Sequence, residues 1–391
     1  MKILHMCLCG PYTDNWSYQD NLLPRELQLK GTNNTVLALM SDYEGKYSHF
    51  KKPTTYFDNG VKIIRILPTK KKIRGFLYLY NVYKYICAEK PDCIFVHCIQ
   101  TCSGLYALKY KHNINQKCIL LTDNHADFNN SPLKSNIFHK FFYSIRKRIV
   151  RKCCNEYDAI WGITPECCDY VTKCFGISSN RVSLLPLGHS INEKLFDNFS
   201  KNRDSIRESK NIPTDGIILI TGGKIEKRKK TLELIQAFKK VNRKNIYLFI
   251  FGRIENDYLN MISNEIGTLM DSRIFLLGEL SVADYTKYLF ASDVAVFPGG
   301  QSVLWQQAIG CGLPLIVDKN QNVNYLDVGG NVLFSNDSTS DSIKSAIEAI
   351  LEDKAYLKMK SIAKEKGREY FSYKRIADIV LRRIEEAQKC E

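Results

Sequence analysis

Five stretches of this 391-residue chain carry residue types able to do chemistry. In FPGGQSVLWQQAIGCGLPLIV, Phe297–Val317, an apolar strand end runs through Gly299, Gly300, Gln301 and Ser302 into a helical pattern, Val303–Gly310. Glycines there permit close backbone approach, Ser302 suits an N-cap, and the free N–H groups of a helix start attract an anion such as a diphosphate. A plain strand-to-helix turn would use the same residues. In TGGKIEKRKKTLELIQAF, Thr221–Phe238, a strand again runs into glycines, Gly222 and Gly223, followed by Lys224, Lys227, Arg228, Lys229 and Lys230. Such a basic run is commonly a solvated face. At the carboxyl end of a strand, where α/β sheets bind ligands, it would also balance a diphosphate's charge.

The other three stretches are more mixed. In LLTDNHADFNNS, Leu120–Ser131, His125 lies between Asp123 and Asp127, which could orient its ring or raise its pKa. A structural role is the alternative. In CGPYTDNWSYQDNLLPRELQLKG, Gly10 ends a first strand, and Asp14, Trp16, Tyr18 and Gln19 form a polar-aromatic loop. Its rings could stack on a sugar and its amide bond hydroxyls, or it is a packed surface loop. FHKFFYSIRKRIVRKCC, Phe138–Cys154, places Phe141, Phe142, Ile145 and Ile149 at helical spacing, with Lys140, Arg146, Lys147, Arg148, Arg151 and Lys152 around them. That is a basic amphipathic helix, fit to lie on anionic lipid or to bury its stripe in its own domain.

These stretches hang on an alternation of short apolar strands and amphipathic helices, which predicts parallel doubly wound sheets. Strands are expected at Ile3–Leu8, Thr35–Met40, Val61–Ile66, Cys93–His97, Cys118–Thr122, Ala159–Ile163 and Val182–Leu185. Helices are expected at Gln19–Leu29, Phe76–Ala88 and Phe138–Cys153. The polar stretch Leu185–Gly216 reads as a linker. A second series follows: Ile217–Thr221, Ile246–Phe251, Arg273–Leu277, Val294–Phe297, Leu315–Val317 and Asn331–Phe334, then a helical tail from Asp341 to Gln388. The expected domains are 1–195 and 196–370, with a helix over 371–391 that crosses back to the first.

Composition sets the outer limits. Hydrophobic residues at 45% and charged residues at 25% are those of a soluble globular protein. No apolar run approaches the roughly 20 residues a membrane span needs, and the start MKILHMCLCG reads as a strand, not a signal peptide. The 14 cysteines include no CxxC pair and mostly lie in apolar segments, which points to reduced thiols and a cytoplasmic setting. A net charge of +15 admits nucleic acid, an anionic membrane or a phosphorylated substrate. The scattered basic residues, without zinc-finger spacing or an RNA-binding aromatic motif, argue against nucleic acid.

Taken together, the stretches resemble the retaining glycosyltransferases of family 4, over most of the chain and most strongly from Arg181 to Phe371. RVSLLPLGHSINEKLF is similar to the family's interdomain segment, and GGKIEKRKKTLELIQAF to its basic phosphate-binding segment. That match puts Lys224 at the family arginine and Lys229 at its lysine. RIFLLGELSVADYTKYLFASDVAVFP is similar to the segment in which Gly278 and Leu280 border the base pocket. His125 resembles the first-domain histidine that contacts the donor sugar. GGQSVLWQQAIGCGLP resembles the segment carrying two glutamates, with Gly299 at the first and Gln307 at the second. Gln307 keeps length and an acceptor oxygen but loses the charge.

The resemblance implies a GT-B fold, two Rossmann-like domains facing a central cleft. It implies a retaining, hexosyl-type transfer from a UDP- or GDP-sugar to a glycan or polyprenyl-diphosphate-linked acceptor in capsule, exopolysaccharide or O-antigen synthesis. No Asp-x-Asp occurs, so the transfer is expected to be metal-independent, with no cofactor. His125, Lys224 and Lys229 would be catalytic. Gly10, Gly223, Gly278, Leu280, Gly299, Gly300, Gln301, Ser302 and Gln307 would meet the donor, and Asp14, Tyr18, Gln19, His97 and Asp127 the acceptor. The enzyme would be cytoplasmic, touching the inner face of the cell membrane through Phe138–Cys154. The alternative is a non-catalytic nucleotide-sugar or polyanion-binding protein on the same fold.

Overall fold

The computed structural model describes residues 1–10, 12–14, 16–40, 52–67, 72–73, 77–78, 82–128, 137–191, 199–267, 271–319 and 322–389. They form two compact units, Met1–Pro186 with Tyr373–Glu391, and Leu187–Ser372.

The first unit contains β1 (Lys2–Cys7), β2 (Asn33–Leu39), β3 (Thr54–Asp58), β4 (Val61–Ile66), β5 (Lys72–Ile73), β6 (Leu77–Tyr78), β7 (Cys93–Val96), β8 (Ile119–Asn124), β9 (Ala159–Gly162) and β10 (Val182–Leu184). Eight of these make one sheet in the order β10-β9-β8-β7-β1-β2-β4-β3, while β5 and β6 form a separate hairpin. All pairs in the large sheet are parallel except β3 with β4. The strands read as unbroken apolar runs because both faces are covered: Ile94, Phe95 and Val96 are each 0% exposed. β3 was not apparent in the sequence. It is an edge strand, half-exposed along its length, and carries little hydrophobic signal.

The second unit contains β11 (Ile217–Gly222), β12 (Ile246–Phe251), β13 (Ile274–Gly278), β14 (Val294–Phe297), β15 (Leu315–Asp318) and β16 (Val332–Ser335). They form a parallel sheet in the order β13-β12-β11-β14-β15-β16. In each sheet the winding reverses at one place, between β1 and β7 in the first and between β11 and β14 in the second. In open α/β sheets such a reversal, at the strands' carboxyl ends, is where ligands bind.

Three sequence expectations change. The helix expected over Phe76–Ala88 begins at Tyr83, because Leu77 and Tyr78 pair with Ile73 and Lys72 as a hairpin. The stretch expected as a linker holds the helix Phe199–Ser209. Its Arg203 and Arg207, one turn apart, both grip the buried Asp293 carboxylate at 2.7 Å, so its polar residues are its anchor. The tail breaks at Phe371–Ser372: Phe371 packs in the core of the second unit, and the helix Tyr373–Lys389 buries Ile376, Ala377, Val380 and Ile384 against Leu23 and Leu27 of the first.

Candidate functional site

In the second unit the two glycine-bearing stretches meet at the switch point. β11 leads through Gly222 and Gly223 to a turn over Lys227–Lys229, and β14 leads through Pro298 to Gly299 and Gly300. They touch backbone to backbone. A Cβ on Gly299 would lie 2.4 Å from the Arg228 carbonyl oxygen and 2.9 Å from the Lys229 carbonyl carbon. The Lys229 ammonium donates to the Gln301 carbonyl and so ties the two loops. Burial, reinforced by the neighbouring Arg228, lowers the Lys229 pKa to about 8. Ser302 Oγ accepts from Leu304 N at 3.3 Å, and the helix begins at Leu304, one residue later than expected.

Lys224 points outward and is 60% exposed, paired with Glu226 at 3.0 Å and Glu255 at 2.7 Å. A diphosphate would compete with those carboxylates for it. Arg228 pairs with Glu226 and reaches Gly300, its Nη1 lying 3.2 Å from where a Cβ would stand. Arg228 is a third cation of this corner; the sequence marked it only as one member of a basic run. Gly278 ends β13 and accepts a hydrogen bond from Gly252 N at 2.7 Å, and Leu280 packs on the core beside it.

Gln307 is 3% exposed, and its Oε1 accepts from Ser190 N at 3.2 Å and Ser190 Oγ at 3.0 Å. The two positions that resemble the family glutamates therefore differ physically. A carboxylate at 307 would keep both Ser190 donors, so Gln307→Glu is expected to fold, with a Tm lowered only by the desolvation of its charge. Gly299→Glu must push its Cβ into backbone and is expected to cost about 2 kcal/mol or more, visible as a lower Tm. Equal Tm values for the two variants would contradict this packing.

In the first unit the switch point holds a buried polar chain. Asn34 Nδ2 donates to Thr32 Oγ1 at 2.7 Å, which leaves its Oδ1 facing His5 Nε2 at 3.1 Å. His5 must donate there, so its Nδ1 accepts from His97 Nε2 at 3.1 Å. His97 Nδ1 in turn faces Asp123 Oδ2 at 2.9 Å. Both nitrogens of His97 therefore carry protons, and it is an imidazolium bound to a carboxylate. Burial and the His97 charge push His5 down to about 3, keeping it neutral. For His97 burial acts the other way from Asp123, and Asp123 wins, raising the pKa.

Asp123 is fully buried and receives four donors: Gln19 Nε2 at 3.1 Å, His97 Nδ1, Cys98 N at 2.8 Å, and His125 Nε2 at 3.4 Å. Despite burial, the two histidines hold its carboxyl far below the usual range. Burial disfavours charge on His125 too, yet Asp123 outweighs it and raises the pKa to about 9. His125 is 38% exposed, so this cation faces out of the chain while His97, 1% exposed, works behind it.

The remaining first-unit candidates scatter. Gln19 joins the Asp123 cluster. Tyr18 is 40% exposed and stands edge-on to Trp16 with centroids 4.8 Å apart, a surface a sugar ring can stack on. Gly10 lies just past β1 with open space around it. Asp14 is drawn into a pair with Arg65 at 2.9 Å, and Asp127 is buried near Glu166, whose carboxyl burial and Asp127 push up. His5 was missed by sequence reasoning; its signal was a histidine on a strand otherwise almost wholly apolar. Cys7, Asp20 and His97 approach within 4.8 Å of one another. The Cys7 thiol bonds Asp20 and His97 Nδ1 carries a proton for Asp123, so their own protons close the group and it does not fit a metal.

The basic helix runs Ile137–Cys154. Phe141, Phe142 and Lys140 lie outside the described side chains. Arg146 donates to Gln100 at 2.8 Å and Arg151 to the Phe175 carbonyl at 2.7 Å, so part of its charge serves its own unit. Arg148 and Lys152 are exposed. Among the described residues no helix is long and apolar enough to cross a membrane.

Residues 202–370 match the family model "Glycosyl transferases group 1". No curated protein matches the sequence. Solved structures similar to the chain include sucrose-phosphate synthase from Thermosynechococcus elongatus, with TM-score 0.71 and 15% identity over 100% of both chains. Anabaena HepE in complex with UDP has TM-score 0.71 and 13% identity over 99% of this chain and 100% of that one. The catalytic domain of starch synthase IV from Arabidopsis thaliana, bound to ADP and acarbose, has TM-score 0.70 and 12% identity over 100% and 99%. The fold is that of the GT-B glycosyltransferases.

Proposed function

We propose that the chain, whose residues 202–370 match the glycosyl transferases group 1 model, belongs to that family and moves a hexosyl group from a UDP- or GDP-sugar to a glycan or polyprenyl-diphosphate-linked acceptor, with retention. The reading assigns the donor to the second unit and the acceptor to the first. The observation that carries it is the corner where Gly299 seats on the Arg228–Lys229 backbone: two cations and the half-buried segment Gly300–Ser302 converge at the switch point. HepE, which shares the fold, was also solved with UDP-glucose.

As the diphosphate leaves, negative charge grows on its oxygens and the anomeric carbon becomes oxocarbenium-like. Lys229, Arg228 and the N–H groups of Gly300–Ser302 stabilise that charge in place, without needing a metal ion. Lys224 joins them if the donor outcompetes Glu226 and Glu255. Gly299 and Gln307 supply no carboxylate near the sugar, so displacement on the front face, with the leaving phosphate taking the acceptor's proton, fits this chain. His125 enters as a hydrogen-bonding cation, not as a base, because it keeps its proton up to about pH 9.

A panel of nucleotide sugars in a thermal-shift assay tests the reading, with magnesium and with chelator. A ligand of the folded state raises Tm by mass action. One nucleotide sugar should raise it equally under both conditions, and transfer should require acceptor. Binding without transfer or donor hydrolysis would favour the non-catalytic alternative, which the two missing carboxylates motivate.

The acceptor is proposed to be a surface polysaccharide precursor, met at the inner membrane face through the helix Ile137–Cys154. Reversing Arg148 and Lys152, which are exposed, should release the protein from anionic vesicles. Unchanged co-sedimentation would remove the membrane from the reading.

A further inference from the structure

We propose that Cys9 and Cys98 are a reversible thiol–disulfide pair, oxidised by peroxide, at the switch point of the first sheet. Cys9 follows β1 and Cys98 follows β7, neighbouring parallel strands in which Ile3–Met6 pair with Cys93–Val96. Their thiols hydrogen-bond to each other. Cys9 is exposed and Cys98 half-buried, so a small oxidant reaches the pair from solvent. Cys98 holds a left-handed backbone, φ 74°, and its N–H is fixed on Asp123 at 2.8 Å.

The hydrogen bond from Cys9 is the largest influence on Cys98. Against burial, and with the Gln100 backbone and His125 helping, it lowers the thiol to about 7. The lowered pKa favours the thiolate, the nucleophilic form, over the thiol. The other close cysteines contrast with it. Cys93 and Cys118 are both 0% exposed, and burial pushes Cys93 well up and Cys153 and Cys154 to about 12. A low-pKa thiol beside an accessible partner is the arrangement of a redox-sensing pair.

The chemistry balances with hydrogen peroxide as oxidant. The Cys98 thiolate attacks one peroxide oxygen, the O–O bond breaks, and the departing hydroxide takes a proton and leaves as water. Cys9 then loses its proton and attacks the sulfenic sulfur; the S–S bond forms, the S–O bond breaks, and a second water leaves. Two thiols are oxidised and one peroxide is reduced. A dithiol reductant reverses the reaction by exchange. Because the Cys98 N–H is one of the Asp123 donors, the new bond pulls on the His97–Asp123–His125 cluster. That consequence for transfer rests on the proposed function; the oxidation itself does not.

The test treats the full-length protein with stoichiometric hydrogen peroxide, alkylates it and maps its peptides. The expected result is a Cys9–Cys98 cross-linked peptide that disappears with dithiothreitol. In Cys9→Ser, whose hydroxyl can still donate to Cys98 but cannot form a disulfide, Cys98 should instead trap dimedone as the sulfenic acid. Oxidation of other cysteines first, or a Cys98 in Cys9→Ser that does not label, overturns the proposal. Sugar transfer by the oxidised protein should fall about fivefold or more and return with reductant. A protein with no transfer at all would sink the proposed function while the peptide map still decides the thiol pair.

Discussion

Lys229→Ala is expected to lower kcat by about 10²- to 10³-fold, the usual cost of removing one preorganised donor from a site of developing negative charge. The magnitude follows from position. Lys229 is partly buried, held on the Gln301 carbonyl, and next to Gly299 and Gly300, so its ammonium is already aimed when the diphosphate departs. Lys224, 60% exposed and neutralised by two glutamates, should lose far less on the same change. A pH profile adds a second check. With a pKa of about 8 in the free protein, Lys229 loses its charge as pH rises through that value, so kcat/KM should fall above about pH 8. Lys229→Arg should move that fall to higher pH. A Lys229→Ala enzyme with full turnover would remove Lys229 from the mechanism.

Asp123→Asn should have the largest effect on stability. Every neighbour within reach of the carboxylate is a donor: Gln19, His97, the Cys98 N–H and His125. The amide of an asparagine must turn its own donor toward one of them and leaves the buried His97 imidazolium with only Asp20, 3.7 Å from its Nδ1, as a counter-charge. Breaking such a buried pair costs about 3–5 kcal/mol, or a Tm lower by roughly 10 °C for the unit that holds it. His125 loses its anion as well, and its ring should titrate well below pH 9 by NMR. In the wild type the raised pKa values of His97 and His125 stabilise the folded state fully below their unfolded value near 6.5. That contribution disappears as pH rises through their folded values. The depressed Asp123 works in the opposite sense, its contribution lost in acid as pH falls through the folded pKa. An asparagine variant with wild-type Tm would show that the cluster is not an ion pair.

The two-sheet architecture was legible in the chain because parallel strands buried on both faces leave unbroken apolar runs, as in Ile246–Phe251 and Val294–Phe297. β3 and the helix Phe199–Ser209 were not, for one shared reason. An edge strand and a helix anchored by its arginines carry no hydrophobic period. The residues proposed to meet the donor stood out in the sequence because glycines and lysines announce themselves at strand ends. Arg228 was lost in the same run that revealed Lys229.

What the sequence determined by itself is the order of elements, and with it the placement of Gly299 and Lys229 at the carboxyl ends of β14 and β11. What only the tertiary structure decided is which polar groups touch. Asn34, His5, His97 and Asp123 come from four strands or strand ends, and no spacing along the chain links them. The same holds for Gly299. Its type looks like the loss of a carboxylate until the Arg228 carbonyl is found where a side chain would have to stand. Period and composition record burial and turns, which are local. Hydrogen-bond direction, proton position and steric room depend on residues far apart in sequence, and folding alone brings those together.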